Sequence, residues 1–432
     1  MPELTSLKGR LLHLFAITFA CMHILPVQAS DSFGGTNGWS YGGHIKYQFI
    51  STWIPDNSFF RRYGDVVTDN YLETRLTLSA RRDRWDITTD IQLLAAHSDT
   101  LAASRNLPID FFPGTGLIND DRRWFNLTHE ISNRNKDATV LRLDRISVGF
   151  TGDKTVVRFG RQAISWGNGL LFTPMDIFNP FDPTAVDKEY KTGDDMLYGQ
   201  YLFDNGSDMQ IVGVVRRDTD SGEVHQDVSS LALKYHGFWG RTEYDLLMAM
   251  HYDDAVLGMG VSTDVLGGIW RADLVWTDTD SGSIISAVGG VSYSGIAAGH
   301  NWTGFLEYYY NGFGLPDGFY TPSGIASNPE LVSRLSRGEL YNIGRHYLGA
   351  SVVWELTPLL NLRPNIFVNV IDPSAYTQVV VSYDWKQNFQ LLGAVNIPIG
   401  KDGTEYGGIR ALQTGQYLST GASVFVELAW YF

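Results

Sequence analysis

Apolar and polar residues alternate along most of the chain. In HIKYQFI at 44–50, apolar residues occupy every second position from Ile45, and polar residues fill the positions between them. NYLETRLTLSA at 70–80 and LNLRPNIFVNV at 360–370 repeat this period of two. A period of two indicates a β-strand whose two faces meet different surroundings.

The same pattern predicts eighteen strands, most of them about ten residues long. An even number of strands is typical of bacterial single-chain membrane barrels. The predicted strands lie near 43–53, 70–80, 85–97, 139–150, 155–166, 196–203, 208–217, 228–238, 241–252, 255–263, 268–277, 284–294, 302–312, 346–356, 360–371, 376–385, 389–398 and 420–432.

The connections between these strands sort by length. Short ones recur after every second strand, at 81–84, 151–154, 204–207, 236–240, 355–358 and 385–388. The long ones fall on the other parity, at 98–137, 167–195, 313–345 and 399–419. Short periplasmic turns opposite long external loops are the outer-membrane pattern, whereas a soluble sandwich has no reason to sort its loops. The sequence therefore predicts an all-β, transmembrane, antiparallel up-and-down β-barrel of about 18 strands (16–18).

The last strand, VFVELAWYF, alternates without a gap through its final residue. Its apolar positions are Val424, Val426, Leu428, Trp430 and Phe432. This segment resembles the closing strand of Gram-negative outer-membrane proteins, which the barrel-assembly machinery reads. The resemblance implies that these five residues form an assembly signal. We expect them to face lipid, with the two terminal aromatic residues in the periplasmic girdle.

The first thirty residues predict export. Two basic residues precede the apolar run LLHLFAITFACMHIL, and PVQAS supplies small residues for cleavage between Ala29 and Ser30. We expect residues 1–29 to be a signal peptide and 30–432 to be the barrel. A membrane anchor is the competing interpretation, but the run is shorter than the roughly 20 residues that cross a bilayer. A lipoprotein site at Cys21 is a further alternative, although the residues before it fit poorly.

Composition narrows the chemistry. The single cysteine lies in the predicted signal peptide, so the exported chain has no thiolate for a disulfide, a metal or a haem. A formal net charge of −14 disfavours nucleic acid as a partner. Aromatic residues reach 13% and charged residues only 19%, while no apolar run of membrane-helix length follows the signal. No metal and no cofactor are expected.

A barrel of eighteen strands leaves an aqueous channel, which favours passage of a solute. The predicted inward faces carry seven basic residues, Lys46, Arg75, Arg142, Arg158, Lys234, Arg271 and Arg363. They also carry nine acidic residues, Glu73, Asp86, Asp90, Asp144, Glu243, Asp245, Asp273, Glu307 and Glu427. We predict that Arg75, Arg142, Asp144, Arg158, Arg271, Asp273 and Arg363 line the pore. The alternative is that such charges form ion pairs that stiffen the wall. The alternation shifts at Arg145, which suggests a β-bulge.

The external loop at 167–195, GNGLLFTPMDIFNPFDPTAVDKEYKTGDD, is unusually apolar for a solvated loop. Apolar side chains gain roughly 25 cal/mol per Å² when they are removed from water, so we expect the loop to fold into the lumen and narrow it. A cap on the outer rim or a subunit contact is the alternative. The predicted constriction carries Asp176, Asp182, Asp187, Glu189 and Asp194. This acidic loop should favour cations and neutral polar solutes, and its spacing does not match a regular Ca²⁺ loop.

The chain resembles 18-stranded outer-membrane porins, a class that includes substrate-specific and alginate-export types. The segment GRQAISWGNG…FNPFDP is similar to porin-like families without a defined substrate. The resemblance implies a location in the outer membrane of a Gram-negative bacterium, contact with lipid and lipopolysaccharide, and passive or facilitated diffusion of small polar solutes. An exopolysaccharide or polyanion exporter is the runner-up, although its lumen should be strongly basic. An adhesive or structural barrel stays open, and an enzyme is disfavoured because no Ser/His/carboxylate group can be placed on adjacent strands.

Overall fold

A computed structural model describes residues 37–105, 118–318, 320–411 and 415–432, and the predicted signal peptide with its cleavage site lies outside these ranges. Within them, eighteen strands form one closed antiparallel barrel. In chain order they are β1 (Asn37–Trp53), β2 (Val66–Arg82), β3 (Trp85–Ser98), β4 (Asp137–Thr151), β5 (Thr155–Gln162), β6 (Asp194–Leu202), β7 (Asp208–Val214), β8 (Ser230–Trp239), β9 (Thr242–His251), β10 (Asp254–Val265), β11 (Gly268–Thr279), β12 (Gly282–Ala297), β13 (His300–Tyr310), β14 (His346–Thr357), β15 (Leu360–Asn369), β16 (Ser374–Lys386), β17 (Phe389–Ile399) and β18 (Ser423–Tyr431).

The barrel closes between its first and last strands. β1 pairs with β2 on one side and with β18 on the other, from His44 opposite Tyr431 to Thr52 opposite Ser423. Beyond that ladder, the amide of Phe432 donates to the carbonyl of Gly43 at 3.0 Å, and the amide of Gly43 donates back at 2.9 Å. Closure leaves the barrel without the open edge that an unclosed sheet would carry. The prediction of an up-and-down barrel with eighteen strands is confirmed.

The two ends of the barrel differ in their connections. At one end the strands are joined by tight turns of a few residues. The other end carries most of the remaining structure: the helices α1 (Asp99–Ser104), α2 (Pro322–Ala326) and α3 (Pro329–Arg337), 3₁₀ turns at Phe59–Tyr63 and Gln226–Val228, a short strand Thr128–Arg134 beside β4, and a small ladder between Ile409–Arg410 and Tyr417–Leu418. In the described ranges, no helix is long and apolar enough to cross a membrane.

The alternation read from the sequence separates the two faces of the wall. On β9, Leu246, Met248 and Met250 point outward with 47%, 62% and 47% exposure, while Leu247 and Ala249 between them are buried. Strand residues therefore present an apolar outer surface, as period-two strands do when one face meets an apolar medium. The charged residues assigned to inward faces lie on the opposite, interior side.

The predicted change of phase near Arg145 is a β-bulge. Asp90 of β3 lies opposite Arg145, whereas the next residue, Ile91, lies opposite Leu143. Asp144 is the extra residue, and its side chain and that of Arg142 both remain inside. A bulge of this kind puts two residues against one and re-aims the side chains beyond it. The interpretation made from the sequence is confirmed at this position.

Single cysteines can test the orientation of the barrel, because the only natural cysteine is Cys21 in the predicted signal. We expect Asp220→Cys, in the exposed connection between β7 and β8, to react with a membrane-impermeant maleimide on intact cells. Asn205→Cys, in the exposed turn between β6 and β7, should react only after the outer membrane is opened. Labelling of Asn205→Cys on intact cells, with Asp220→Cys protected, would contradict this orientation.

Candidate functional site

The connection between β5 and β6, residues 163–193, lies inside the barrel and will be called the inner loop. It leaves the wall at Trp166, whose indole N–H donates to Gln210 of β7 at 2.9 Å. The side-chain amide of Asn168 then reaches two wall carboxylates, Asp245 of β9 at 3.2 Å and Asp273 of β11 at 2.8 Å. These wall residues all belong to interior faces, so the loop enters the lumen instead of covering the rim.

The apolar residues of the inner loop pack against an apolar sector of the interior wall. Trp166, Met175 and Phe178 form one buried cluster with wall residues. The wall contributes Met196, Val212, Val214, Ala232, Leu247, Ala249, Val256 and Val275. Met175 is 0% exposed. Removal of these side chains from water stabilises the docked loop, which explains why the loop sequence is so apolar.

A second apolar contact continues along the wall to β15. Leu171 and Phe172 are buried with Tyr309, Tyr347 and Phe367, and the ring of Phe172 stacks on Tyr309 with centroids 4.9 Å apart. Gly349 of β14 makes room for this approach, since a Cβ there would lie 2.5 Å from the side chain of Leu171. The first part of the inner loop is therefore fitted closely to β13, β14 and β15.

The remainder of the loop continues around the interior. Gln378 of β16 donates to the carbonyl of Thr184 at 2.9 Å. Lys46 of β1 pairs with Asp187 at 2.7 Å and with Glu189.

The end of the loop returns to the wall near its start. Tyr190 lies under the guanidinium of Arg75 of β2, 4.1 Å from its ring centroid. Arg145 of β4 donates to the carbonyl of Lys191. The contacts thus run from β7 through β9, β11, β13, β16 and β1 to β4, which covers the circumference of the lumen.

Two of the five predicted constriction residues form buried ion pairs instead of facing an opening. Asp176 is 6% exposed and pairs with Lys191, and burial raises the pKa of Asp176 to about 6 against the opposing charge of that lysine. Asp194 begins β6 and pairs with Arg216 at 2.7 Å. Asp176 and Asp194 were expected at the constriction, and this expectation is corrected, because both charges are compensated by buried partners. The Asp176–Lys191 pair holds two parts of the inner loop together, and the Asp194–Arg216 pair joins the start of β6 to the connection after β7. The partners of the two aspartates lie 15 and 22 residues away in sequence, so no local pattern revealed the pairs.

Asp182, Asp187 and Glu189 stay partly accessible. The side chains of Asp187 and Glu189 are 23% and 34% exposed beside Lys46. Asp182 accepts hydrogen bonds from the amide and hydroxyl of Thr184, both at 2.8 Å. These three carboxylates are the part of the acidic loop that faces accessible space.

Three of the seven predicted pore-lining residues of the wall belong to one buried ion network. Arg75, Arg142 and Asp144 are each 2% exposed; Arg75 contacts Asp90 at 3.1 Å and Asp144 at 2.8 Å, and Arg142 also contacts Asp144. Their burial corrects the expectation that they line open water, because the alternative of wall-stiffening ion pairs describes them. Such a network fixes geometry, because an unpaired buried charge is costly.

The other four predicted wall residues differ among themselves. Arg158 is partly exposed and pairs with Asp86 at 3.2 Å, and Arg271 donates to Ser292 at 2.8 Å. Arg363 is partly exposed beside the inner loop and lies 3.5 Å from the carbonyl of Val186. Asp273 is 2% exposed and is covered by the loop, so it too departs from the expected open position. Arg158, Arg271 and Arg363 remain predicted contacts for a solute.

The sequence did not reveal how the other long loops close over the lumen. Glu405 accepts hydrogen bonds from the hydroxyl of Tyr347, the amide side chain of Asn369 and the backbone amide of Ile343. Burial raises the pKa of Glu405 to about 7 despite these donors. The last long loop is thereby fastened to the wall and to the loop that carries α3. A lone glutamate in a Gly-rich loop gave no signal of this role.

The structure also places a serine, a histidine and a glutamate together, which the sequence analysis did not foresee. Ser230 lies 2.8 Å from Nδ1 of His251, and Nε2 of His251 lies 3.0 Å from Glu339. Arg216 donates to the Ser230 hydroxyl at 2.6 Å, and both Ser230 and His251 are buried. Burial by itself raises the pKa of Glu339, but Arg337 and His251 outweigh it and hold that pKa below its usual range. The group therefore docks the loop that follows α3 onto β9, and its hydroxyl is occupied by a guanidinium instead of open to a substrate.

An open recess of about 310 Å³ lies beside this docking point. It is lined by four arginines and two aspartates, together with polar side chains such as Asn119 and Tyr252. The charged lining residues are Arg122, Arg123, Arg216, Arg337, Asp121 and Asp194. Across the described residues, no group of three or more His, Cys, Asp or Glu side chains could hold a metal ion.

The chain matches no protein-family model, and no curated protein matches its sequence. Solved structures share its fold. OccAB4 of Acinetobacter baumannii superimposes with a TM-score of 0.54 and 9% identity over 93% of this chain and 100% of that chain. A BenF-like porin from Pseudomonas fluorescens Pf-5 superimposes with a TM-score of 0.54 and 10% identity over 91% of this chain and 98% of that chain. Pseudomonas aeruginosa OccK2 (OpdF), crystallised in complex with glucuronate, superimposes with a TM-score of 0.50 and 8% identity over 91% of this chain and 98% of that chain.

These matches identify the architecture. At 8–10% identity they establish the fold and no more. The chain has the fold of Gram-negative outer-membrane porins, as the sequence analysis predicted.

The pair between Asp176 and Lys191 predicts a measurable coupling. Lys191→Met leaves a buried carboxylate without its partner and should lower the free energy of unfolding by about 3–5 kcal/mol. Adding Asp176→Asn should recover most of this loss, because neither charge then remains. Urea titration of the purified barrel in lipid vesicles measures both values.

Lys154→Met is the matched control, since Lys154 and its partner Asp204 are exposed at the opposite end. An exposed pair contributes about 0–1 kcal/mol, so this variant should change little. Equal losses for Lys191→Met and the double variant would contradict the pairing.

Proposed function

We propose that the protein is an outer-membrane channel for passive or facilitated diffusion of small polar solutes, and that the inner loop sets its narrowest part. The observation that carries the proposal is that this loop contacts interior wall residues around the whole circumference of a closed barrel of eighteen strands. Barrels of this size enclose an aqueous space, so a loop held inside one restricts passage without any need to move the wall.

The outer surface fits a membrane location. Trp39, Trp85, Trp239 and Trp385 stand 55–86% exposed near the turn-rich end of the barrel. Tryptophan in that position is typical of the interface between lipid and water. The proposal includes a cleaved signal at 1–29, a barrel from residue 30 to 432, contact with outer-membrane lipid and lipopolysaccharide, and insertion by the barrel-assembly machinery through the strand that ends at Phe432.

The accessible charges favour a mild preference for cations. Asp182, Asp187 and Glu189 stay partly accessible in the lumen. Asp182 lies near Lys188, and Asp187 and Glu189 lie beside Lys46. Carboxylates at a narrow opening concentrate cations through their focused potential. The preference should be weak, because Lys46 compensates part of the negative charge.

A polyanion exporter is the second candidate, and the recess lined by arginines favours it. Four guanidinium groups around one opening would attract carboxylate or phosphate groups. Against it, Arg216 and Arg337 are already paired with Asp194 and Glu339. A reversal potential measured across a salt gradient separates the candidates, since strong anion preference would favour export of a polyanion.

Neutralisation of the accessible carboxylates tests the proposed constriction. The variant Asp182→Asn, Asp187→Asn and Glu189→Gln should shift the reversal potential toward anions in a planar bilayer, since it removes three negative charges from a confined space. The control variant carries Asp220→Asn and Glu223→Gln in an exposed external connection, where screening over about 8 Å hides such charges. Equal shifts in both variants would contradict a constriction at the inner loop.

Lys188 gives the channel a predicted pH dependence. Burial lowers the pKa of Lys188 to about 8, although Asp182 opposes the shift. Its positive charge is present below that pKa and is lost as the pH rises through it, so cation preference should increase between pH 7 and 9. Lys188→Gln should show no such increase, and reversal potentials at the two pH values measure the difference. An unchanged pH dependence in Lys188→Gln would assign it to another group.

A further inference from the structure

Two interior carboxylates on alternate strands stand beneath the first turn of the inner loop. Asp273 on β11 and Glu307 on β13 are each 2% exposed. A buried carboxylate is costly unless strong donors surround it. The groups that the structure places on both of them come from a single short segment, residues 168–172.

Five consecutive backbone amides of this segment point to the two carboxylates. The amides of Asn168 and Gly169 donate to Oδ2 of Asp273 at 2.7 and 3.3 Å. Those of the next three residues donate to Glu307: the amide of residue 170 reaches Oε1, and the amides of residues 171 and 172 reach Oε2 at 2.8 and 3.2 Å. Successive amides that converge on one anion form a concave nest, and hydrogen bonds to a charged acceptor are stronger than neutral ones.

Glycine makes this backbone shape possible. Gly167 has a φ of +98°, and a Cβ on Gly169 would lie 1.9 Å from the carbonyl oxygen of Phe172. The segment therefore folds back on itself so tightly that only glycine fits at position 169. The turn brings the five amides together, and the two carboxylates accept hydrogen bonds from these buried amides. The turn and the carboxylates therefore form one structural unit.

We propose that Asp273 and Glu307 are positioning residues, which hold the inner loop by its backbone and thereby set the shape of the passage. The proposal deepens the channel function proposed above and rests on it. Glu307 accepts hydrogen bonds from the amides of Leu171 and Phe172, and the side chains of these two residues pack on β13 to β15. Loss of the carboxylate leaves three amides buried without an acceptor, so the whole first part of the loop should loosen.

The loss of the Glu307 side chain should be reversed by a small carboxylate in solution. Because the donors are backbone amides, Glu307→Ala removes the anion but keeps the nest, and a small carboxylate such as acetate can occupy the vacated space. In planar bilayers, Glu307→Ala should show noisy current with substates. Sodium acetate should restore steady current, and sodium chloride at the same ionic strength should not. Glu307→Gln keeps one acceptor oxygen, so its current noise should lie between that of the unmodified protein and that of Glu307→Ala.

Two further variants control for a general defect. Gly169→Ala distorts the nest itself, so it should reproduce the noisy current but not respond to acetate. Glu243→Ala removes an exposed interior carboxylate from β9 and should behave as the unmodified protein, with or without acetate.

The hold of Glu307 on the amides of residues 170–172 will be called the clamp, and hydrogen exchange at these three amides tests it without any current. In Glu307→Ala, exchange should accelerate about tenfold or more, the effect expected when a charged acceptor is lost, and acetate should slow it again. If the unmodified protein fails to conduct but this exchange pattern holds, the channel function fails while the clamp stands. Unchanged exchange in Glu307→Ala, or a disturbance that acetate leaves unrelieved, overturns the clamp.

Discussion

The backbone ladder between the first and last strands is the interaction on which the rest of the structure depends. Without the pairing of β1 with β18, the sheet would have two open edges and no enclosed interior. Closure at eighteen strands creates a space that side chains of the wall alone cannot fill. The inner loop and the loops fastened above it occupy part of that space, and their sequences are adapted to an interior instead of to open water.

The interior is divided into two kinds of wall. The sector from β6 to β11 offers small and apolar side chains, which the loop covers with Met175 and Phe178. The sector from β1 to β5 offers a buried ion network around Arg75 and Asp144. A loop that covers the apolar sector and balances the charge of the sector with the ion network needs both apolar residues and carboxylates. This requirement accounts for the mixed composition of residues 163–193 without any reference to a particular solute.

Much of the fold could be predicted from the sequence because its signals are local. Strand period, turn length and the shift of phase at Arg145 each depend on a few neighbouring residues, and all three agree with the structure. The partners within the site depend on the closed geometry instead. Asp176 and Asp194 look like pore charges until Lys191 and Arg216 are placed beside them. The clamp at Glu307 is invisible in sequence, since its donors are backbone amides that any residue supplies.

The central claim is that the inner loop borders the path of the solute. In the chain without the predicted signal peptide, Glu189→Cys places the only thiol on the accessible side of that loop. Single-channel current should fall in one discrete step when a bulky methanethiosulfonate reagent is added, because the attached group occupies part of the narrowed lumen. The step should reverse on reduction. A current that stays constant while mass spectrometry shows complete labelling of the cysteine would contradict the claim.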